Sequence, residues 1–137
     1  MKEIIDVPEG GSGPVVWIIS NQQWPRAFIR AELIERGFDA IGFEEVGQAI
    51  AAIGDKRTRK PQLLILDLRQ SSVTRIQLQN LAHKRIPILA LAGNLEPDER
   101  SLKDFGWIAM MKMPFTIGEV CQLVEKQIGS KSEGTKT

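Results

Sequence analysis

Five short apolar runs, each closed by a polar or turn-forming residue, punctuate the chain. Val15-Val16-Trp17-Ile18-Ile19 is followed by Ser20-Asn21, and Leu63-Leu64-Ile65-Leu66 ends on Asp67. Residues 86–92 read IPILALA, residues 107–111 read WIAMM, and Asp39–Phe43 (DAIGF) is the weakest of the five. Runs that are continuously apolar, rather than alternating, predict strands buried on both faces. Asp67 is then an acid at the carboxyl end of a buried strand, where parallel sheets place ligands and chemistry.

The segments between these runs carry helical spacing. Phe28, Ile29 and Leu33, with Ala31 and Ile34, fit a core-facing helix that Gly37 stops. Val46, Ala49, Ile50 and Ile53 follow the i, i+3, i+4, i+7 rule. Val73, Ile76, Leu78 and Leu81 outline a looser third helix, and residues 98–105 a short fourth. Ile117, Val120, Cys121, Val124 and Ile128 form the clearest stripe. Thr116 and Glu119 are spaced as a capping box ahead of it, with Phe115 and Val120 placed to staple across the box. Strand–helix alternation repeated five times predicts a parallel sheet covered by helices on both faces. Residues 14–129 are expected to form this domain, between a flexible segment at 1–13 and a polar tail at 130–137.

Composition narrows the function classes. The chain has 137 residues, enough for one well-buried core. Its 18 Lys and Arg against 17 Asp and Glu give no general attraction to nucleic acid or anionic lipid. The one cysteine, Cys121, rules out an internal disulfide and sits on an apolar stripe, so it is expected to be a buried small hydrophobe. No apolar run approaches membrane-span length and residues 1–7 do not resemble a signal peptide, so a cytoplasmic location is expected. The sequence holds no Gly-rich phosphate loop, nucleophile elbow, HExxH or CxxC pattern.

In order and spacing, these segments resemble the response-regulator receiver domain, the phospho-acceptor module of two-component signalling. The likeness runs from about Pro14 to Gly129. It is carried by the segment from Ser20 to Gly37-Phe38, by Leu64-Ile65-Leu66-Asp67-Leu68 as the acceptor strand, by the fourth strand, and by Pro114-Phe115 as the turn into the last helix. It implies a three-layer flavodoxin-like (βα)5 fold with strand order 2-1-3-4-5, and a signalling role rather than an enzymatic one. In the family, two acids after the first strand join the acceptor aspartate in holding Mg²⁺. A hydroxyl residue ends the fourth strand and a lysine precedes the Pro-Phe turn. A dianionic phosphoryl group reaches a carboxylate only if cations and donors absorb the charge.

Matched position by position, one of the five groups remains. Ser20 and Asn21 stand where the acids belong, Asp67 matches the acceptor, Ala92 takes the hydroxyl position, and Met113 takes that of the lysine. Lys112 is one residue off, and strand alternation turns it away from the pocket. Losing one well-placed donor costs roughly 2.7–4 kcal/mol of transition-state stabilisation, and a lost metal several kcal/mol more. The expectation is a pseudo-receiver with no required cofactor and at most a weak Mg²⁺ site. Asp67 is then a strand-end carboxylate hydrogen-bonded to loop N–H groups or to Asn21.

Such a module acts by protein recognition. The resemblance points to a protein partner or a homodimer on the face of the fourth helix, fifth strand and fifth helix, with Met110 at the family's aromatic switch position and Trp107 beside it. Two other readings compete: a working phospho-acceptor at Asp67 with a weak metal site, and a small-ligand or nucleic-acid binding module. The run Lys56-Arg57-Thr58-Arg59-Lys60 is expected to be a solvated loop, since no aromatic is interleaved with it. His83 has no metal-ligand partner at useful spacing and is expected at a helix end near water. Trp17 should be core, and Trp24, beside Pro25, should open the first helix at the pocket rim.

Overall fold

The computed structural model describes residues 13–69, 73–93 and 107–129. Five strands, β1 (Val15–Ile19), β2 (Asp39–Phe43), β3 (Leu63–Asp67), β4 (Ile88–Ala92) and β5 (Ala109–Lys112), form one parallel sheet in the order β2-β1-β3-β4-β5. The helices are α1 (Gln23–Glu35), α2 (Val46–Ile53), α3 (Arg75–His83) and α4 (Ile117–Ile128). This is the flavodoxin-like topology expected from the sequence. The helix expected over 98–105 and the terminal segments expected at 1–13 and 130–137 lie outside the described residues, apart from Gly13.

Strand alternation sorts the continuous apolar runs into two cores. Val16, Ile18, Leu63, Ile65, Leu89 and Leu91 face one side, where Ile29 and Leu33 of α1 and Val120, Cys121 and Val124 of α4 cover them. Val15, Trp17, Ile19, Leu64, Leu66, Ile88 and Ala90 face the other, under Val46, Ala49, Leu81 and Trp107. Each Val, Leu or Ile among them contributes about 1.5–3 kcal/mol by leaving water. Burial pushes the Cys121 thiol up to about 12, which agrees with its place in the core. Among the described residues no helix is long and apolar enough to cross a membrane.

The ends of the elements follow local chemistry. Gly37, at φ 96°, stops α1 in the left-handed region open to glycine, and the Phe38 N–H donates back to Leu33 O. The capping box at Thr116 and Glu119 is formed, and equivalent boxes at Glu45/Gln48 and Thr74/Gln77 start α2 and α3. Three elements start later than expected. β4 starts at Ile88, after Pro87, β5 covers 109–112 rather than 107–111, and α3 starts at Arg75 because Thr74 caps it.

Three of the residues expected on the core face of α1 are on the other side. Ile29 and Leu33 are buried, whereas Phe28 is 53% exposed, Ile34 is 45% exposed and Ala31 is also exposed. At 100° per residue one helix cannot turn 28, 29, 31, 33 and 34 all toward one sheet, and the i, i+4 pair 29/33 takes the contact. Ile76, assigned to the stripe of the third helix, is likewise 73% exposed, while Leu81 is buried and Leu78 and Val73 are partly so.

Candidate functional site at the carboxyl end of the sheet

The parallel sheet brings the carboxyl ends of β1, β2 and β3 together. They open into a cleft of about 170 Å³ that Ser20, Asn21, Glu44, Glu45, Asp67 and Thr74 help to line. Ser20 is fixed on every side. Its N–H donates to Phe43 O at 3.0 Å, its carbonyl accepts from Arg26 Nη1 at 2.8 Å, and its hydroxyl accepts from Gln22 N at 3.1 Å. Arg26 reaches that carbonyl by lying across Gly42, where a Cβ would meet its Cγ at 3.0 Å. The Ser20 hydroxyl is thereby aimed at Asp67 and donates to Oδ2 at 2.9 Å.

Asp67 is 5% exposed, and its carboxylate is fully engaged. Oδ1 accepts from the Arg69 N–H at 3.0 Å and from Arg69 Nε at 2.8 Å, while Oδ2 accepts from Arg69 Nη2 at 2.8 Å and from Ser20. Burial by itself pushes this carboxyl up. The Arg69 guanidinium, the Arg69 N–H and the Ser20 hydroxyl together outweigh that and hold it below the usual carboxylate range. The bond to Asp67 raises Arg69 further above the ordinary arginine value.

Arg69 reaches beyond Asp67. Its guanidinium carbon stands 5.1 Å from the centre of the Phe115 ring, and Nη1 lies 3.5 Å from Met113 Sδ. One side chain thus ties the end of β3 to the turn that leads into α4. The loop N–H among the partners of Asp67 was legible in the sequence; the guanidinium was not assigned. A signal for it exists. Asp55-Lys56-Arg57 repeats the Asp-x-Arg spacing, and there too the Arg57 N–H and Nε reach Asp55 Oδ1, at 2.9 and 3.2 Å, and Nη2 reaches Oδ2. An aspartate that accepts the N–H two residues on forms an Asx-turn, which returns the second residue's side chain toward the same carboxylate.

The other assigned residues separate. Asn21 lines the cleft with Ser20 and Asp67, whereas Met113 meets the site through Arg69. Ala92 is buried at the end of β4, paired in register with Lys112 of β5. Lys112 is exposed and lines a shallow groove with Met111, Phe115, Glu119, Leu123 and Lys126 on the outside of β5 and α4. Met110 is half-buried against the second core. Trp107 is 6% exposed and belongs to that core, so it is corrected from a surface contact to a packing residue. Trp24 is 66% exposed and packs on Phe28 rather than lining the cleft.

The basic loop folds onto its own neighbours. Arg57 pairs with Asp55, Arg59 bonds Asp39 and Gly13 O, and Lys60 bonds the carbonyls of Asp55 and Thr58. His83 closes α3, exposed, with Nδ1 2.9 Å from Gln79 O. Among the described residues no group of three or more His, Cys, Asp or Glu side chains is arranged to hold a metal.

No family model and no curated protein matches the sequence. Solved structures do match in shape. A response regulator receiver protein from Burkholderia phymatum superposes with a TM-score of 0.72 at 18% identity, over 85% of this chain and 95% of that one. A response regulator receiver domain protein from Methanospirillum hungatei gives 0.69 at 17%, over 85% and 94%. A receiver protein from Pseudomonas putida gives 0.68 at 20%, over 82% and 96%. With the sheet order, the two-sided core and an aspartate closing the central strand, the chain has the fold of response-regulator receiver domains.

Proposed function

We propose that this chain is a receiver-like module of two-component signalling that does not use the phosphorylation switch and acts through protein recognition. One observation carries the reading: every acceptor site on the Asp67 carboxylate is taken by a donor from the chain itself. A carboxylate offers about four lone-pair directions, and Arg69 and Ser20 supply four bonds. Attack on phosphorus needs one of those lone pairs free, so the ion pair must first open. The charge compensation that the receiver pattern draws from a lysine before the Pro-Phe turn comes here from Arg69. It arrives on the loop after β3 and holds the acceptor closed.

The donor set supports the same reading for Mg²⁺. The ion prefers carboxylates and gives up water reluctantly. Asp67, the carboxylate expected to hold the ion, is neutralised by a guanidinium, and Ser20 is already donating to it. Recognition is assigned to the outer face of β5 and α4, whose groove carries apolar Met111, Phe115 and Leu123 beside charged Lys112, Glu119 and Lys126.

The test is mass analysis after incubation with a small acyl-phosphate donor and Mg²⁺. The native chain is expected to keep its mass. A substantial population heavier by one phosphoryl group, abolished in Asp67→Ala, would overturn the reading in favour of a working phospho-acceptor.

A further inference from the structure

Helix α1 is apolar on two sides. Ile29 and Leu33 serve the core, while Trp24, Ala27, Phe28, Ala31 and Ile34 are all exposed. At 3.6 residues per turn these five fall within an arc of about 120°, the width of a core-facing stripe, which exposed Glu35 also enters at the last residue of the helix. Trp24 and Phe28, one turn apart, already pack against each other with ring centroids 5.5 Å apart. Ile76, by contrast, is a lone exposed side chain on α3, which is ordinary for a protein surface.

We propose that this stripe is a self-association surface that receives α1 of a second copy of this chain, antiparallel about a two-fold axis. The spacing is self-complementary. Trp24 and Ala31 are seven residues apart, as are Ala27 and Ile34, the repeat of a helix–helix seam. Antiparallel superposition puts Trp24 of one copy on Ile34 of the other at both ends, and Ala27 on Ala31 in both central layers. The methyl groups of Ala27 and Ala31 flank the axis and let the backbones approach, Phe28 lies along the edge of the seam near the axis, and Trp24 and Ile34 close the ends. One patch meeting itself in this way is what a two-fold interface requires.

Area and charge favour the same occupant. Large aromatic side chains carry ~150–250 Å² each, and Trp24 and Phe28 leave 66% and 53% of theirs open. With Ile34 and the two alanines the stripe presents roughly 400 Å² of apolar surface. Two stripes and their polar rim pass ~1,000 Å², the lower end for a specific interface, so the dimer is weak and concentration-dependent. The cations of α1 and its cap are engaged within the chain: Arg26 on Ser20 O, Arg30 on Ala40 O, and Arg36 on Glu32 and Glu125. Pairing the stripes therefore leaves no cation of α1 buried without a partner. The surface is separate from the groove of β5 and α4, and the inference does not depend on the chemistry of Asp67.

Sedimentation equilibrium of the full chain from about 1 µM to about 1 mM tests this. A monomer–dimer equilibrium is expected, with Trp24 emission moving to shorter wavelength as dimer forms, since Trp17 and Trp107 are buried in either state. Phe28→Glu and Trp24→Ser should each raise the dissociation constant at least tenfold, with circular dichroism and melting temperature showing a folded chain. Should the charged variant misfold, the serine variant carries the test. A monomer at all concentrations, or a dimer indifferent to both substitutions, would overturn the proposal. So would a dimer that forms only once residues 1–12 are removed, which would make the chain's own N-terminal segment the occupant.

Discussion

Asp67 and Arg69 are separated by one residue, and that spacing lets a single neighbour give the carboxylate both a backbone N–H and a guanidinium. The side chain of Asp67 is 3% exposed and that of Arg69 is 19% exposed, so water screens the pair little. Breaking a buried pair from one side costs about 3–5 kcal/mol, because the remaining charge is left without compensation. Ser20 and the backbone N–H still serve Asp67 in Arg69→Ala, so a loss of about 3 kcal/mol is expected, read as a lower urea midpoint at unchanged slope. Unchanged stability would show that the pair does not hold this end of the sheet. The acid limb gives a second check. The folded Asp67 titrates below its unfolded value, so its contribution is complete at neutral pH. It begins to fade as pH falls past ~3.9, where the unfolded chain takes up the proton, and is gone below the folded value. The stability difference between the native chain and Asp67→Asn should therefore be constant above about pH 5 and shrink below about pH 4.

At the scale of elements, the pattern of apolar residues was legible in proportion to how one-sided each element is. The three central strands, β1, β3 and β4, were plain because burial on both faces leaves no polar position to confuse the period, whereas the edge strands β2 and β5 are only partly buried, against the two-sided burial expected of them. α4 was plain because Val120, Cys121 and Val124 form one buried stripe behind a capping box. Within that box Thr116 Oγ1 accepts from Glu119 N at 3.0 Å and Glu119 Oε1 accepts from Thr116 N at 2.9 Å. Thr116→Ala is expected to cost about 1 kcal/mol, seen as a melting temperature lower by about 3–5 °C. α1 was misread on one face because its apolar residues cover both sides. It also starts at Gln22 with no side-chain cap bond, so the core contact of Ile29 and Leu33 anchors it. Helical spacing states which residues share a face but not which of two apolar faces meets the sheet.

Across the whole molecule, the proposed function requires the recognition surface to stand in one conformation, since a module without a chemical switch has no ligand to shift its populations. Arg69 supports this by joining the end of β3 to Met113 and Phe115, the turn through which a change at Asp67 would reach α4. Hydrogen exchange across β5 and α4, around Met110 and the outer groove, is accordingly expected to be the same with and without phosphodonor and Mg²⁺. A donor-dependent change in protection there would show a working switch.

The sequence by itself determined the fold class and the residue types at the site. Apolar runs alternating with helical spacing predict a parallel sheet between helices, and residue type alone shows that Ala92 offers no oxygen and Met113 no charge. The tertiary structure decided what surrounds Asp67. Whether Arg69 points to solvent, to a partner or back onto Asp67 depends on the Asx-turn and on the ring of Phe115, which lies 46 residues along the chain but adjacent in space. It also decided that Trp107 is core and that Trp24 and Phe28 are surface. Local periodicity carries the angle between residues around a helix, whereas the direction of the sheet is set by contacts between segments far apart in sequence.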